Sequence, residues 1–356
     1  MKQTSSFIPA LAILPLLALA VASFAAPEPK TPRPAAPKAP PAAKPNFALV
    51  NTLKVGGEGP WESATLDPQG KFLYVPRVNR TQVIDTSSGK VVAEIAPGAG
   101  AKAVALAPEA NRGFITNARD ASVTVFDLKT NEILGKLKVL DDPGAIVYDP
   151  LSKHVLVGCW GPKSLIPFPA DIDLKTGRTD PPIVLEGPPK SMVADGQGMV
   201  YVTVPEKGQI AVIDTRVMKL ATTWPAAQWP TPVSIAMDRL RSRLFIAGGP
   251  RFSILSAADG HDLGNVTINK PDALRLSAPT AAFYDGHAFE MFGDALNVIG
   301  QNAEGRFEVQ QTLTLEPGAG PPTIDSRSGK IYLPSIEYEG RKPIPGTFKI
   351  LVVEKK

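Results

Sequence analysis

The stretch Leu66–Val92, LDPQGKFLYVPRVNRTQVIDTSSGKVV, decides the fold. It alternates turn-forming clusters, DPQG at 67–70 and DTSSG at 85–89, with apolar runs at 72–75 and 83–84 and a third run that begins at 90. Short runs of β-branched and aromatic residues between Asp, Pro, Gly and Ser clusters are typical of strands joined by turns, and no helical period competes with them. The stretch is therefore predicted to form one unit of antiparallel sheet.

This unit recurs through the rest of the chain. The turn that closes its first strand returns near residues 67, 107, 149, 195, 238, 285 and 325, at steps of 40 to 47 residues. The turn after the third strand keeps the same register, at Asp85, Asp127, Asp173, Asp214, Ser256 and Gly300. A period of about 40 to 50 residues with four strand signals per unit is typical of a β-propeller. The sequence therefore predicts an all-β, seven-bladed β-propeller over residues 46–356.

The two ends of this body predict how the ring closes. Its last unit ends on TFKILVVE at 347–354, which matches a third strand and leaves the unit one strand short. Residues 49–55, LVNTLKV, alternate as a fourth strand and stand before the first complete unit. We expect the N-terminal strand of the mature chain to complete the last blade, so that no edge stays unpaired there.

Several strand motifs resemble a known family. They are LYV at 73–75, FITN at 114–117, YVT at 201–203, VIDT at 83–86 and again at 212–215, and GTFKILVV at 346–353. In these motifs the body resembles the YVTN-repeat (YncE-like) seven-bladed β-propellers. The resemblance implies an exported bacterial propeller. Most members lack an assigned activity, some are said to bind nucleic acid, and relatives of the same architecture occur in quinoprotein and lactonase enzymes.

The first 45 residues differ from the body in composition. Residues 1–25 combine Lys2, an apolar run at 7–21 and the small-x-small sequence SFA at 23–25, which predicts a cleavable secretory signal. Residues 26–45 contain eight prolines and six alanines, a composition that favours an extended linker over a packed core. We expect a periplasmic or secreted protein that is not transmembrane after signal cleavage.

The charge balance gives no support to a nucleic-acid partner. Five of the 38 basic residues and one of the 34 acidic residues lie before residue 46, which leaves 33 of each sign in the body. Nucleic-acid binders normally depend on a clustered positive surface. The single cysteine, Cys159, excludes an intramolecular disulfide and is either a buried small hydrophobe or a reactive thiol.

The carboxylates and histidines do not form a recognisable catalytic motif. The aspartates of the repeat stand at turns, where Asp accepts hydrogen bonds from backbone N–H groups two residues on, so a structural role is expected. His154, His261 and His287 are isolated from one another in the sequence, without the spacing of a zinc site. The sequence therefore predicts no metal site and no cofactor.

Candidate binding residues follow from the geometry of a propeller. Its blade-to-blade links and the loops between second and third strands open on one face, around the central channel. Two of these loops are predicted to be long, at 159–169 in blade 3 and at 336–345 in blade 7, and such insertions often map to the binding face. Aromatic and basic side chains carry much of the energy of interfaces. The predicted binding residues are Trp61, Arg77, Lys102, Trp160, Lys163, Lys190, Trp229, Arg251, Tyr338 and Arg341.

Together these features predict a non-catalytic, monomeric binding or scaffold protein that presents its loop face to a protein, peptide or small ligand. Two alternatives stay open. One is a channel-site enzyme such as a metal-dependent lactonase-type hydrolase, for which Glu62, Asn79 and Asn117 are the candidate catalytic residues. The other is single-stranded nucleic-acid binding, which the family resemblance alone suggests.

Overall fold

Seven four-stranded antiparallel sheets arranged in a ring form the body of the protein, a seven-bladed β-propeller. The computed structural model describes residues 45–96, 98–225, 231–268, 278–316, 318–340 and 342–356, all within the compact unit Ala39–Lys356. The predicted signal at 1–25 and all of the predicted linker except Pro45 lie outside the described residues.

Blades 1 to 7 are numbered in chain order. The strands before and within blades 1 and 2 are β1 (Phe47–Lys54), β2 (Thr65–Leu66), β3 (Phe72–Arg77), β4 (Arg80–Asp85), β5 (Val91–Ile95), β6 (Ala101–Ala107), β7 (Arg112–Asn117), β8 (Ser122–Asp127) and β9 (Ile133–Lys138). Blades 3 and 4 contain β10 (Pro143–Asp149), β11 (His154–Cys159), β12 (Ser164–Pro169), β13 (Ile183–Val184), β14 (Met192–Ala194), β15 (Met199–Val204), β16 (Gln209–Asp214) and β17 (Lys219–Pro225).

The remaining strands form blades 5 to 7. They are β18 (Ser234–Asp238), β19 (Arg243–Gly248), β20 (Arg251–Ser256), β21 (Asp262–Thr267), β22 (Thr280–Tyr284), β23 (His287–Phe292), β24 (Ala295–Gln301), β25 (Phe307–Thr314), β26 (Thr323–Ile324), β27 (Ile331–Ser335), β28 (Tyr338–Glu339), β29 (Lys342–Pro343) and β30 (Lys349–Lys355). Short 3-10 helices at Pro108–Ala110 and Pro205–Lys207 belong to loops. The first strands of neighbouring blades contact one another, so they surround the central channel.

The predicted ring closure is confirmed. Blade 7 has the strand order β1-β30-β27-β26, so the first strand of the body is its outermost strand. β1 and β30 pair antiparallel from Phe47 opposite Lys355 to Lys54 opposite Lys349. Because the two ends of the body share one sheet, unfolding either end opens the whole ring.

The hydrophobic core consists of clusters that lie between blades. One of them joins Leu73 and Val75 of blade 1 to Tyr332, Phe348 and Ile350 of blade 7, across the closing joint. Strand residues alternate between the two faces of a blade, so each blade contributes to the core on both sides. This double burial explains why the second and third strands are almost wholly apolar.

The turn aspartates have the structural role that their positions predict. Asp67 Oδ1 accepts the backbone N–H groups of Lys71 and Phe72, at 2.6 and 2.8 Å. Asp85 accepts those of Ser87 and Ser88 and also both hydroxyls, and these hydrogen bonds lower its pKa to about 2. These carboxylates are occupied by their own turns and do not form an array.

The prediction of a long loop at 159–169 in blade 3 was wrong. Cys159 ends β11, and residues 164–169 form β12, so only a short turn separates the two strands. The extra residues lie instead between β12 and β13, and Asp173 is four residues beyond the end of the third strand. The carbonyl of Pro167 accepts the N–H of Asp180 on the outer side of β12, beyond the reach of the two-residue β13. A proline is tolerated there because its missing N–H would face the same unpaired side.

The predicted insertion of blade 7 does lie between the second and third strands. It folds into a small hairpin in which β28 pairs with β29. The hairpin projects from the same face as the links that join the blades.

Candidate functional site

A cavity of about 660 Å³ lies at one end of the central channel. It is lined by the links into the first strands, by the first residues of those strands and, in blade 3, by Gly158 of β11 and Trp160 on the turn after it. Every blade contributes, with Trp61, Lys102, Gly144, Lys190, Ser234, Thr280 and Pro321 as one representative each. A volume in this range suits a small organic ligand. The structure therefore gathers side chains that are up to 260 residues apart in sequence at one concave surface.

Hydroxyl groups on the inner strands fix the position of this surface. Thr65 Oγ1 donates to the carbonyl of Val104 in the next blade at 2.8 Å, and Thr116 Oγ1 donates to that of Gly144 at 2.8 Å. At the closing joint Thr323 Oγ1 donates to the carbonyl of Ala64 at 3.0 Å. Each of these bonds crosses from one blade to the next, so the cavity wall is pre-organised rather than assembled by a ligand.

Trp61 forms the wall of the cavity beside the closing joint. Its ring lies directly against Gly320, where a Cβ atom would overlap it, and the side chain is half-buried. The glycine thus lets the link into blade 1 carry an aromatic ring at the cavity edge.

Glu62 and Lys102 form an ion pair inside the cavity. Lys102 Nζ lies 2.7 Å from Glu62 Oε1, and both side chains are exposed by about 40%. The pair spans the links into blades 1 and 2. Its two charges compensate each other, so it offers a ligand little net charge.

Trp160 and Lys190 form the wall at blades 3 and 4. Lys190 Nζ lies over the Trp160 ring, 5.9 Å from its centroid, a cation–π arrangement. The indole is 40% exposed, and both residues line the cavity together with Asp142. An accessible aromatic plane beside an ammonium group is suited to bind a ligand that has an apolar face and a negative charge.

Of the other predicted binding residues, Arg77 lies apart from the cavity. It is fully buried, and its guanidinium donates to the carbonyls of Glu58, Gly59 and Pro60 and to Gln82 Oε1 at 2.6 to 3.1 Å. Burial lowers its pKa to about 10, which leaves it cationic at neutral pH. Arg77 holds the link into blade 1 in place and has no surface to offer a ligand.

The remaining predicted binding residues lie on the loops around the cavity or outside the described part of the chain. Lys163 Nζ lies 4.0 Å from Glu206 Oε2, and the Tyr338 ring packs against Gly318. Arg251 is exposed at the start of β20. Trp229 and Arg341 lie outside the described residues.

The three candidate catalytic residues do not meet. Glu62 lines the cavity, whereas Asn117 is buried in blade 2, where its amide donates to the hydroxyls of Ser122 and Thr124. Asn79 is exposed on the turn between β3 and β4 and accepts a hydrogen bond from Arg80 at 3.3 Å. In the described ranges, no group of three His, Cys, Asp or Glu residues is placed to hold a metal ion.

Cys159 is a buried small hydrophobe. It has no exposed surface and belongs to the core between blades 2 and 3. Burial raises the pKa of its thiol to about 12, so it stays protonated at neutral pH. The alternative of a reactive thiol is therefore wrong.

Sequence reasoning missed one buried ionisable residue, Glu290 on β23. It has no exposed surface, Asn297 Nδ2 donates to its Oε2 at 3.0 Å, and its Oε1 is buried without a hydrogen-bond partner. Burial raises its pKa to about 7. A blade-by-blade alignment carries the signal, because the equivalent positions hold aliphatic residues, namely Val75, Ile115, Val157, Val202, Ile246 and Leu333.

A second cavity, of about 390 Å³, lies between blades 4 and 5. Trp224 and Tyr201 form part of its wall, and the Tyr201 hydroxyl donates to the carbonyl of Ala257 at 2.7 Å. None of the predicted site residues lines it.

The chain matches no family model and no curated protein. The fold is thus established by the structure, and the YVTN-repeat family stays a prediction. Within the described ranges, no helix has the length and apolar character that crossing a membrane requires.

Proposed function

We propose that this protein is a non-catalytic binding protein whose channel-mouth cavity holds a small ligand or a side chain of a peptide or protein partner. The propeller fold itself fits a binding or scaffold role. The observation that carries the proposal is the cavity of about 660 Å³ with Trp61 and Trp160 in its walls. Two accessible indole rings over a rigid, polar floor provide apolar contact area at little cost in conformational entropy.

The polar groups of the floor support the same proposal. Ser191 and Ser234 lie at the cavity and accept backbone N–H groups of the next blade, from Ile235 at 3.4 Å and from Ala281 at 3.1 Å. A hydroxyl that accepts such a bond still has its own O–H to donate. The cavity therefore combines apolar walls with a few fixed polar groups, the usual composition of a ligand site.

The binding proposal is tested with a ligand screen on two variants. We expect that ligands which raise the melting temperature of the full chain do not raise that of Trp160→Ala, because a ligand stabilises the folded state only by binding it. Leu240→Ala is the control, since Leu240 is 86% exposed on the turn between the first two strands of blade 5, at the other end of the ring. If the ligands still raise the melting temperature of variants with Trp160 or Trp61 replaced, the cavity is not the binding site.

The hydrolase alternative receives less support from the described residues. Its candidates Glu62, Asn79 and Asn117 lie at three separate places, and Glu62 is paired with Lys102. We expect calcium or manganese to leave the melting temperature unchanged. A rise that disappears in Glu62→Ala would favour the hydrolase instead.

We also propose that the protein is exported and acts in the periplasm or outside the cell as a member of the YVTN-repeat family. The support is the sequence of residues 1–25 and the strand motifs of the body. Cell fractionation tests this proposal, because removing residues 2–25 should retain the protein in the cytoplasm.

A further inference from the structure

We propose that the ligand of the channel-mouth cavity is a monocarboxylate attached to an apolar ring. In this arrangement Lys190 pairs with the carboxylate and Trp160 stacks against the ring. The inference rests on the proposed binding function and specifies the chemistry of what is bound.

The two cavity lysines differ in their partners. Lys102 is neutralised by Glu62 at 2.7 Å. Lys190 forms no ion pair with any carboxylate of the described residues, and its contact is the face of Trp160. An ammonium group over an aromatic ring keeps its hydrogen-bond donors for a further partner. Lys190 is therefore the cation of this cavity that is available to an anion.

Backbone hydrogen bonds hold both residues in place. Lys190 follows the buried pair Pro188 and Pro189, and its backbone N–H donates to the carbonyl of Thr203 at 3.0 Å. The backbone N–H of Trp160 donates to the carbonyl of Asp142 at 3.0 Å. Proline fixes its own backbone angle φ, so the backbone that leads into Lys190 is held in place. The indole and the ammonium group are thus presented together before any ligand arrives.

The charges of the lining favour a ligand with one negative charge. The ionisable residues of the lining are Glu62, Lys102, Asp142 and Lys190, two of each sign. A single ammonium group matches one negative charge, and Asp142, the carboxylate of the lining that is not paired with Lys102, would repel a second one. The lining contains no arginine, whose fork-shaped guanidinium is the preferred partner of phosphate groups. These features favour a monocarboxylate over a phosphate ester.

The surface around Trp160 favours a ligand with a flat apolar ring. The Trp160 ring is 40% exposed, and the first-strand residues that line the cavity with it include the small residues Ala103, Gly144 and Ala145. Aromatic rings prefer offset stacking on an exposed aromatic face. A ring next to a short acid chain can thus contact the indole while its carboxylate reaches Lys190 Nζ.

The test compares three probes of one shape and different charge: 3-phenylpropionate, 3-phenylpropan-1-ol and protonated 3-phenylpropylamine. Their affinities for the full chain are measured by calorimetry at neutral pH. We expect 3-phenylpropionate to bind about tenfold more tightly than the alcohol, the usual size of one charge-assisted hydrogen bond, and the amine to bind most weakly. Lys190→Met should bring the acid down to the affinity of the alcohol, and Trp160→Leu should weaken all three probes.

Lys207→Met is the matched control. Lys207 is exposed on the same blade, next to Gly187 on the loop face, but does not line the cavity. It should leave the ranking of the probes unchanged at physiological salt, because screening weakens charges that are not in contact.

Two results would overturn the ligand class while leaving the binding function intact. One is equal affinity for acid and alcohol, and the other is failure of all three probes while neutral screening hits still depend on Trp160. If no compound of any class depends on Trp160 or Trp61, the binding function itself fails. If Lys190→Met still binds the acid more tightly than the alcohol, the carboxylate of the probe binds to another group and the role of Lys190 is wrong.

Discussion

Blades 1 and 6 each bury a charged side chain, and they treat it in opposite ways. In blade 1, Arg77 donates to three backbone carbonyls and to Gln82, and its guanidinium stacks on Phe348 at 4.0 Å from the ring centroid. In blade 6, Glu290 receives one hydrogen bond, from Asn297, and its second oxygen has none. Two blades of the same ring thus bury one charge that has nearly all its hydrogen bonds and one that is half-satisfied.

The difference follows from where each residue stands on the second strand. Arg77 is the last residue of β3, beside the link into blade 1, whose carbonyls turn towards it. Glu290 lies two residues further from the loop face, and its neighbours Ala288 and Phe292 belong to the apolar core between blades 5 and 6. A buried charge is costly unless hydrogen bonds replace its water. Link carbonyls can do this for Arg77, whereas an apolar core cannot do it for Glu290.

Replacing Arg77 should have the largest effect on stability. Arg77→Met removes four hydrogen bonds and the stacking on Phe348 at the closing joint of the ring, and we expect the free energy of unfolding to fall by about 3 kcal/mol. Urea unfolding measures the change. Arg216→Met is the control, because Arg216 is exposed and water screens its pair with Asp214, so the free energy of unfolding should stay nearly unchanged. Equal losses in the two variants would contradict the role of Arg77.

Glu290 should make stability depend on pH. Burial raises its pKa from the usual 4.5 to about 7, so the folded state binds the proton more tightly than the unfolded state. The free energy of unfolding should therefore fall as the pH rises from about 4.5 to 7 and level off above that, since the folded carboxyl then loses its proton as well. Glu290→Gln should remove this fall and be more stable than the natural protein by about 2 kcal/mol at pH 8.

The measurement is urea unfolding of both proteins at pH 5, 6, 7 and 8. At pH 5 the two should differ little, because the carboxyl is then protonated in the folded state. Parallel curves over the whole range would show that Glu290 does not titrate as its burial requires.

The smallest effects should come from the partners of the two charges. Gln82→Leu removes one of the four hydrogen-bond partners of Arg77, so we expect a loss of about 1 kcal/mol that does not depend on pH between 5 and 8.

Asn297→Leu removes the donor to Glu290, which should raise the pKa of the carboxyl further. The pH midpoint of the stability curve should then move upward. A downward shift would mean that another group stabilises the carboxylate.

The fold could be predicted from the sequence because its signals are local and repeated. A turn such as 67–70 followed by an apolar run predicts a strand wherever it occurs. Seven repeats of the unit then predict a single ring of seven blades. The same reasoning failed at Pro167 and Pro169. The prolines at these positions predict a loop. β12 accommodates them because its outer side has no partner strand there. The partner strand is β13, and no local sequence pattern predicts that it is short.

The site could be predicted only in part. The expected face does bring Trp61, Lys102, Trp160 and Lys190 to one cavity. Arg77 was expected beside them, but whether a side chain at the end of a strand points into the core depends on the carbonyls that it meets there. Glu290 stands out only after the blades have been aligned by strand register, because an isolated Glu in an apolar strand has no motif.

The most direct test of the account is a crystal structure of the full chain with 3-phenylpropionate. We expect density for the phenyl ring against Trp160, with a carboxylate oxygen about 2.7 to 3.2 Å from Lys190 Nζ, in a propeller of seven blades closed by residues 47–54. Density for the probe elsewhere on the surface, with the Trp160 face empty, would contradict it.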